Sequence, residues 1–156
     1  MLVEKVIGNI NDDKFKNSKI DYVDIEWHEA FKKLHRKTSQ NGIEVGIKLD
    51  NDILTKGLRQ GDVLAINDDS IIAVNIPKDK ALVVKVDDNH LIPKVCYEIG
   101  NRHATLFEGN NHNEFITVYS EPMKEMLEKI GANVSVENVQ FDFNKSISAS
   151  INAHQH

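Results

Sequence analysis

The spacing of apolar residues changes near residue 77, and this change constrains the fold of the 156-residue chain more than any other feature. Before it, apolar and acidic residues alternate in short runs, as in Val23, Ile25 and Trp27. After it, two longer segments repeat apolar residues at helical spacing. Alternation is the pattern of half-buried strands, and a 3.6-residue period is that of amphipathic helices. Two differently built modules are therefore predicted, with their boundary at Pro77-Lys78-Asp79.

The first module, residues 1–76, is predicted to be a small all-β domain. Ile43, Val45 and Ile47 alternate with polar or small residues directly after the turn-forming pair Asn41-Gly42. Further turn sequences, Gly61-Asp62 among them, separate the other short strand patterns. Many short strands with tight turns between them are typical of a small sandwich or barrel-like domain.

The second module, residues 77–144, has the order strand, helix, strand, strand, helix, strand. Its first helix is predicted from Leu91, Val95 and Ile99, and Gly100 is expected to end it. This order is that of the ferredoxin-like βαββαβ fold, so the chain as a whole is predicted to be α+β. The strands are predicted at 81–86, 105–107, 115–119 and 134–143, the second helix between Ser120 and Gly131, and a flexible tail at 145–156.

Composition narrows the possible functions. Cys96 is the only cysteine, which excludes an intrachain disulfide and a thiolate-rich metal site. A net charge of −5 argues against general nucleic-acid binding, which needs a basic surface. The sequence contains no apolar run long enough to span a membrane and no secretory signal, so we expect a cytoplasmic protein with no membrane partner.

The turn Gly100-Asn101-Arg102-His103 is the strongest candidate for a functional site. It follows a predicted helix and precedes a strand, so the His103 imidazole is expected to be exposed. The alternative interpretation is a polar turn in which cationic residues favour the C-terminal end of the helix dipole.

Two further histidines, His154 and His156, stand at the end of the predicted tail. Imidazoles on a flexible segment can bind nickel, copper or zinc, although a solvated tail without a metal is the alternative. His103 alone cannot fill a coordination shell. Two copies of the chain around a two-fold axis can bring His103 against its own copy, and tail histidines can complete the shell.

The remaining histidines and a short basic segment are weaker candidates. His112 lies in a predicted turn and is a possible additional ligand, whereas His28, His35 and His90 are expected to be surface residues. Lys32, Lys33, Arg36 and Lys37 form a basic stretch that is either a solvated face or a docking patch for an acidic partner.

No catalytic arrangement is evident, so the chain is not expected to be an enzyme. A Gly-rich phosphate loop, a nucleophile elbow and a His-Glu-x-x-His helix are all missing from the sequence. Cys96 lies on the apolar side of a predicted helix and is expected to be buried and unreactive. An acylphosphatase-like enzyme that uses Asn101 and Arg102 is an alternative, although its phosphate loop is absent.

The Gly-Asn-Arg-His turn, in a ferredoxin-like half, resembles the metal-binding domain of the urease accessory protein UreE family. The segment from Thr38 to Leu64, with Gly42-Ile43-Glu44-Val45-Gly46-Ile47 and Gly61-Asp62-Val63-Leu64, is similar to the peptide-binding domain of that family. The helix at 120–131 and the histidine-bearing tail also fit. The resemblance covers nearly the whole chain.

The resemblance implies a nickel metallochaperone that delivers Ni2+ to apo-urease during active-site assembly. It implies a homodimer joined through the C-terminal domains, with His103 of both subunits on one ion and with His154 and His156 as additional ligands. Zn2+ or Cu2+ are expected to compete, since intrinsic affinity does not favour nickel over copper. Other urease accessory proteins, including the nickel-inserting GTPase, are the implied partners. Some members carry another histidine pair before the second helix, where this chain has Tyr119 and Glu121.

A function of another class is also consistent with the sequence. The β-rich half would act as a peptide-binding co-chaperone module, and metal binding would be incidental.

Overall fold

A computed structural model describes residues 1–147 of the chain. The chain divides into two compact units between Pro77 and Lys78. The described residues form eleven β-strands and three α-helices. The α+β fold class that the sequence predicts is confirmed, with a β-rich N-terminal unit and a mixed C-terminal unit.

The N-terminal unit contains two small sheets and one short helix. A three-stranded sheet has the order β1-β5-β4, and a four-stranded sheet has the order β2-β6-β7-β3. Two neighbouring pairs, β1 with β5 and β3 with β7, are parallel. The elements are β1 (Leu2–Val3), β2 (Gly8–Asn9), β3 (Lys19–Asp24), β4 (Leu34–Thr38), β5 (Glu44–Lys48), α1 (Ile53–Lys56), β6 (Asp62–Asn67) and β7 (Ser70–Asn75).

Alternation along these strands sorts side chains between core and solvent, as the sequence predicts. Val45 and Ile47 of β5 are buried, whereas Glu44 and Lys48 are exposed. Trp27 departs from the prediction, because β3 ends at Asp24 and Trp27 begins a 3₁₀ turn over Trp27–Glu29. The apolar alternation therefore extends three residues beyond the strand.

His35 is the clearest error of the sequence analysis in this unit, since it was expected at the surface. It is only 8 % exposed and lies on the inner face of β4. Its Nε2 is 2.9 Å from the carbonyl oxygen of Lys32, and its Nδ1 has no hydrogen-bond partner among the described residues. Burial lowers the pKa of this imidazole from its ordinary value, so the ring is held in its neutral form.

The C-terminal unit has the predicted βαββαβ order. Its four-stranded sheet has the order β11-β8-β10-β9, and every neighbouring pair is antiparallel. Numbered within the unit, this order is 4-1-3-2, which is the split βαβ arrangement of ferredoxin-like folds. The elements are β8 (Asp79–Lys85), α2 (Ile92–Asn101), β9 (Leu106–Glu108), β10 (Glu114–Val118), α3 (Glu121–Ile130) and β11 (Asn133–Val139).

Both helices pack on one face of this sheet. Val95 and Ile99 of α2 and Leu127 of α3 are fully buried in one cluster with Leu82 and Val84 of β8. Full burial of each such side chain contributes about 1.5–3 kcal/mol relative to exposure. Packing of this kind holds the C-terminal end of α2 firmly against the sheet.

The ends of α3 follow the predicted signals, but the end of α2 does not. Ser120 caps α3 by accepting a hydrogen bond from the Met123 amide at 3.4 Å, and Gly131 ends it with φ of 115°. Helix α2, by contrast, continues through Gly100 to Asn101. Gly100 is therefore a helical residue and not the predicted stop.

The last strand is shorter than predicted, and the residues that follow it form a turn and pair with the sheet. Strand β11 ends at Val139, so Phe141 and Phe143 lie outside it. A 3₁₀ turn over Phe143–Lys145 follows, and Ser146 forms a bridge with Phe107 of β9. Residues 145–147, which were assigned to the flexible tail, thus lie against the sheet.

Within residues 1–147, none of the helices has the length and the apolar character required to cross a bilayer.

Candidate metal-binding site

His103 lies in the turn between α2 and β9. Its backbone N–H donates to the carbonyl of Gly100 at 2.9 Å, and the N–H of Ala104 donates to the carbonyl of Ile99 at 3.3 Å. This pair of bonds is a Schellman motif, in which the first residue past the cap adopts a left-handed conformation. The backbone that carries the imidazole is therefore tied to the last turn of a packed helix.

The conformation of His103 is one that glycine normally supplies. Its φ is 58°, and Asp68 is the only other non-glycine residue described with a positive φ. A side chain in this region costs roughly 1–2 kcal/mol. The His103 side chain is exposed, so burial of the imidazole does not offset that cost. A non-glycine residue held in this region suggests a functional requirement for its side chain.

An ion pair lies one turn before the imidazole. Arg102 Nη1 is 2.7 Å from Glu98 Oε2 and also donates to the Glu98 carbonyl at 3.3 Å. An unpaired guanidinium next to His103 would repel a bound cation. Pairing with Glu98 compensates this charge, which makes the helix end more compatible with a divalent ion.

The end of the described chain lies beside the strand that follows His103. The N–H of Ile147 donates to the carbonyl of Leu106 at 2.8 Å. Upstream, the rings of Phe141 and Phe143 are 5.2 Å and 5.8 Å from the ring of Phe107. Both rings are buried, with exposures of 5 % and 7 %. Residues 140–147 are called the C-terminal strap below.

Phe141 and Phe143 continue the alternation of β11, so the sequence predicts a longer strand here and gives no indication of the strap. A local signal for it exists at Asp142, whose carboxylate accepts a hydrogen bond from the Asn144 amide at 3.0 Å. Aspartate in this position starts a turn or helix more often than it continues a strand.

The other predicted ligands do not form a cluster in the described structure. His112 is exposed in the turn between β9 and β10, and His28 and His90 are exposed as predicted. Within residues 1–147, no three His, Cys, Asp or Glu side chains are grouped as a metal site. His154 and His156 lie outside the described residues.

The basic stretch of the N-terminal unit is divided between two faces of β4. Arg36 is exposed, whereas Lys37 forms an ion pair with Glu29 at 3.1 Å. Lys33 donates to the side chain of Asn51 at 2.8 Å. The fold therefore does not present the four cations of this stretch on one docking patch.

Cys96 is half-buried on α2, and burial raises the pKa of its thiol above the ordinary value. The thiolate is the reactive form and the metal ligand, so a raised pKa makes Cys96 a poor nucleophile and a poor ligand at neutral pH. This agrees with the unreactive role expected for it.

Comparison with known families assigns both units. The model of the UreE urease accessory protein N-terminal domain matches residues 3–77, and that of the C-terminal domain matches residues 79–156. The urease accessory protein UreE of Helicobacter acinonychis is 36 % identical over 97 % of this chain and 88 % of its own length. That of Acetivibrio thermocellus is 43 % identical over 84 % of this chain and 82 % of its own length.

The two-domain fold and its matches define an accessory protein and not an enzyme, so that prediction is confirmed. The chain belongs to the urease accessory protein UreE family. The resemblance inferred from the Gly-Asn-Arg-His turn and the N-terminal segment is thereby confirmed, and the acylphosphatase-like alternative is not supported.

Proposed function

We propose that this protein is a nickel metallochaperone that binds Ni2+ through His103 and delivers it to apo-urease during active-site assembly. It works in the cytoplasm with the other urease accessory proteins, including the nickel-inserting GTPase. Membership of the UreE family supports an accessory role in urease maturation.

The observation that carries the proposal is the position of His103. An exposed imidazole occupies a left-handed backbone position that glycine would fill at lower cost. Two main-chain hydrogen bonds fix its direction. Imidazole is a suitable ligand for Ni2+, and also for Zn2+ and Cu2+, which we expect to compete.

His103 supplies one ligand, so the site needs donors from elsewhere. We propose that two subunits form a homodimer through their C-terminal domains and share one ion between two copies of His103. Isologous contact of this kind brings a residue on the axis against itself. His154 and His156 then complete the shell, and His112 is a weaker candidate. Such an exposed, incomplete site suits transfer of the ion.

The surface of α2 beside His103 supports a dimer contact there. Tyr97 is 67 % exposed and is an aromatic residue of the kind that is enriched at protein interfaces. Gly100 lies one turn further along the helix, and a Cβ built on it would meet no heavy atom of the described structure within 4 Å. A glycine without an internal packing reason permits a second backbone to approach closely.

Titration with Ni2+ under calorimetric detection tests the site. The substitution His103→Gly removes the imidazole and suits the positive φ, so the fold is retained. We expect this variant to lose tight nickel binding, whereas the control His90→Ala, which removes an exposed imidazole that is not a proposed ligand, keeps it. Unchanged tight binding by His103→Gly would contradict the proposal, as would a wild-type protein that stays monomeric with Ni2+ at micromolar concentration.

A second candidate function is peptide binding by the N-terminal unit. The outer face of the β1-β5-β4 sheet carries Leu2 and Leu34, each 66 % exposed. They border a groove of about 890 Å³ along β5, where Gly46 has no side chain. Arg36 and Lys48 lie on the same face, which favours an extended partner segment with apolar and acidic side chains.

A pull-down of apo-urease by the full chain, with nickel removed by a chelator, separates the two functions. If the groove binds urease without metal, the Leu34→Ser variant loses capture and His103→Gly does not. If capture requires nickel and His103 but not Leu34, the second candidate is wrong.

A further inference from the structure

Strand β4 is an edge strand of the β1-β5-β4 sheet, and the hydrogen bonds at its two ends fix the direction in which its main chain faces. Before the strand, the carbonyl of Lys33 accepts a hydrogen bond from the Leu49 amide at 2.9 Å. After it, the Ser39 amide donates to the carbonyl of Ile43 at 2.8 Å. Antiparallel pairing is continuous between these two pairs, and hydrogen-bonded residues alternate along such a strand. The odd-numbered residues of β4 therefore bond to β5, and the even-numbered residues face away from it.

The outward-facing residues of β4 are Leu34, Arg36 and Thr38. Among residues 1–147, their amides and carbonyls have no hydrogen-bond partner. All three residues are exposed, so this edge of the sheet is open to solvent. The open edge ends at Gln40, whose amide donates to the Tyr22 carbonyl of β3 at 2.9 Å. The sheet thus offers three alternate main-chain positions to a further strand.

The side chains beside this edge are cationic and apolar. Arg36 and Lys48 lie along the groove and form no ion pair with another described residue, although the whole chain has a net charge of −5. Leu34 is 66 % exposed and lies opposite Lys48 in the register of β4 and β5. An added strand with acidic and apolar side chains on this face would pair with Arg36 and cover Leu34.

A second copy of β4 is a poor occupant of the same edge. In a two-fold antiparallel pair centred on Arg36, this residue would lie opposite its own copy, and like charges directly opposite each other are destabilising. Cationic side chains on edge strands commonly prevent such self-pairing. The charge of the edge therefore favours a segment of another protein.

We propose that β4 binds an extended acidic segment of a partner protein by strand addition, so that the segment becomes a fourth strand of the β1-β5-β4 sheet. This inference rests on the second candidate function, and it adds main-chain recognition at the edge to the contacts in the groove. In this mode of binding, main-chain hydrogen bonds give affinity and alternate side chains give selectivity. Arg36 selects an acidic side chain, and Leu34 selects an apolar one.

A synthetic peptide with the sequence Thr-Val-Thr-Glu-Thr-Val-Thr, labelled with fluorescein, is the probe for the full chain. Its valines and its glutamate share one face, and the sequence reads the same in both strand directions. N-methylation of the glutamate replaces an N–H that would face β4, whereas N-methylation of an adjacent threonine replaces one that would face solvent. We expect the first methylated peptide to bind about tenfold more weakly than the parent peptide, because a hydrogen bond is lost and a methyl group takes its place. The second should bind like the parent, and fluorescence anisotropy measures all three.

Two variants of the protein separate the main-chain hydrogen bond from the charge. Arg36→Ala and Arg36→Pro both lose the guanidinium, but only proline also loses the outward-facing N–H. Proline at this position leaves the hydrogen bonds to β5 intact, which is the situation in which edge strands accept it. We expect Arg36→Ala to bind the parent peptide severalfold more weakly than the wild type, and Arg36→Pro to bind it more weakly still. If Arg36→Pro does not fold, the two methylated peptides decide the question with the wild-type protein.

The outcomes distinguish this inference from the function on which it rests. If both methylated peptides bind like the parent, strand addition is wrong and docking in the groove stands. A parent peptide that does not bind at millimolar concentration also overturns the proposal. Self-association of the wild type that Arg36→Pro abolishes and the peptide does not inhibit would identify a second copy as the occupant, contrary to the proposal. Capture of apo-urease by Leu34→Ser would contradict the second candidate function but would leave the peptide result unaffected.

Discussion

The carbonyl of Gly100 accepts a hydrogen bond from the amide of His103 at 2.9 Å. At many helix ends a single glycine both stops the helix and adopts the left-handed conformation, but Gly100 does neither. Gly100 remains helical, and His103 takes the left-handed conformation with φ of 58°. The imidazole is consequently presented at the exit of the helix, at the expense of local backbone strain.

Replacement of His103 by glycine should therefore stabilise the protein while it removes the proposed metal ligand. We expect the free energy of unfolding to rise by about 1 kcal/mol in His103→Gly, because glycine adopts positive φ at little cost. His103→Ala retains a Cβ and should show no such gain. Urea denaturation of the metal-free proteins measures both. Equal stability of the two variants would show that φ at this position is not strained.

Gly100→Ala should have opposite effects on the stability of the subunit and on the proposed dimer. A Cβ at this position meets no heavy atom of the described residues within 4 Å, so alanine should add about 0.5–1 kcal/mol through its higher helix propensity. If Gly100 allows close approach of a second copy, the added methyl group weakens dimerisation. Thermal denaturation and sedimentation velocity measure the two effects. An unchanged dimer would place the interface elsewhere.

His35 should make the N-terminal unit sensitive to acid. Burial is the largest cause of its lowered pKa, opposed by the Lys32 carbonyl and by Glu29, and reinforced by Lys37 and Lys32. The unfolded chain takes up its proton near pH 6.5, whereas the folded chain resists protonation. Stability is thus fully present above that pH and is lost as the pH falls below it.

The variant His35→Gln isolates this contribution, because glutamine can donate to the Lys32 carbonyl but does not titrate. Between pH 7.5 and 5.5 the wild type should lose more stability in urea than His35→Gln does. Parallel losses would mean that other groups cause the acid sensitivity. A matched control is His90→Gln, since His90 is exposed and its replacement should leave the pH dependence of the wild type.

Sequence signals within one or two helical turns are sufficient to predict most elements of the C-terminal unit. Ser120 and Gly131 bound α3 in the structure as they do in the sequence, because capping depends on residues within one turn. The order of strands and helices also followed from periodicity alone. The end of α2 is not signalled in the same way, since Gly100 tolerates helical geometry and the stop depends on the hydrogen bonds that His103 and Ala104 donate back to Gly100 and Ile99.

Contacts that the sequence pattern does not signal account for the remaining differences. His35 alternates correctly for a strand, but only the position of the Lys32 carbonyl explains why an imidazole can be buried there. Phe141 and Phe143 continue the strand pattern in the sequence. Only their contact with Phe107, more than thirty positions earlier, accounts for their place outside the strand. His103 could be proposed as a site from sequence because it follows a helix in a polar turn, whereas its left-handed backbone could not.

The pair formed by Glu98 and Arg102 should tune the affinity for a divalent cation. Glu98→Gln removes a negative charge five residues before His103, roughly 8 Å along the helix axis, and leaves the Arg102 charge next to His103 uncompensated. A unit charge at that distance from Ni2+ changes its energy by about 1 kcal/mol in water, less with screening by salt. We expect about two- to fivefold weaker nickel binding for Glu98→Gln at low salt, and no weakening for Arg102→Gln.

The difference should shrink in 0.5 M NaCl, because a Coulombic effect is screened and a structural one is not. Calorimetric titration at both salt concentrations measures this difference. A loss of affinity that does not change with salt concentration would indicate that Glu98 acts on the fold of the helix end.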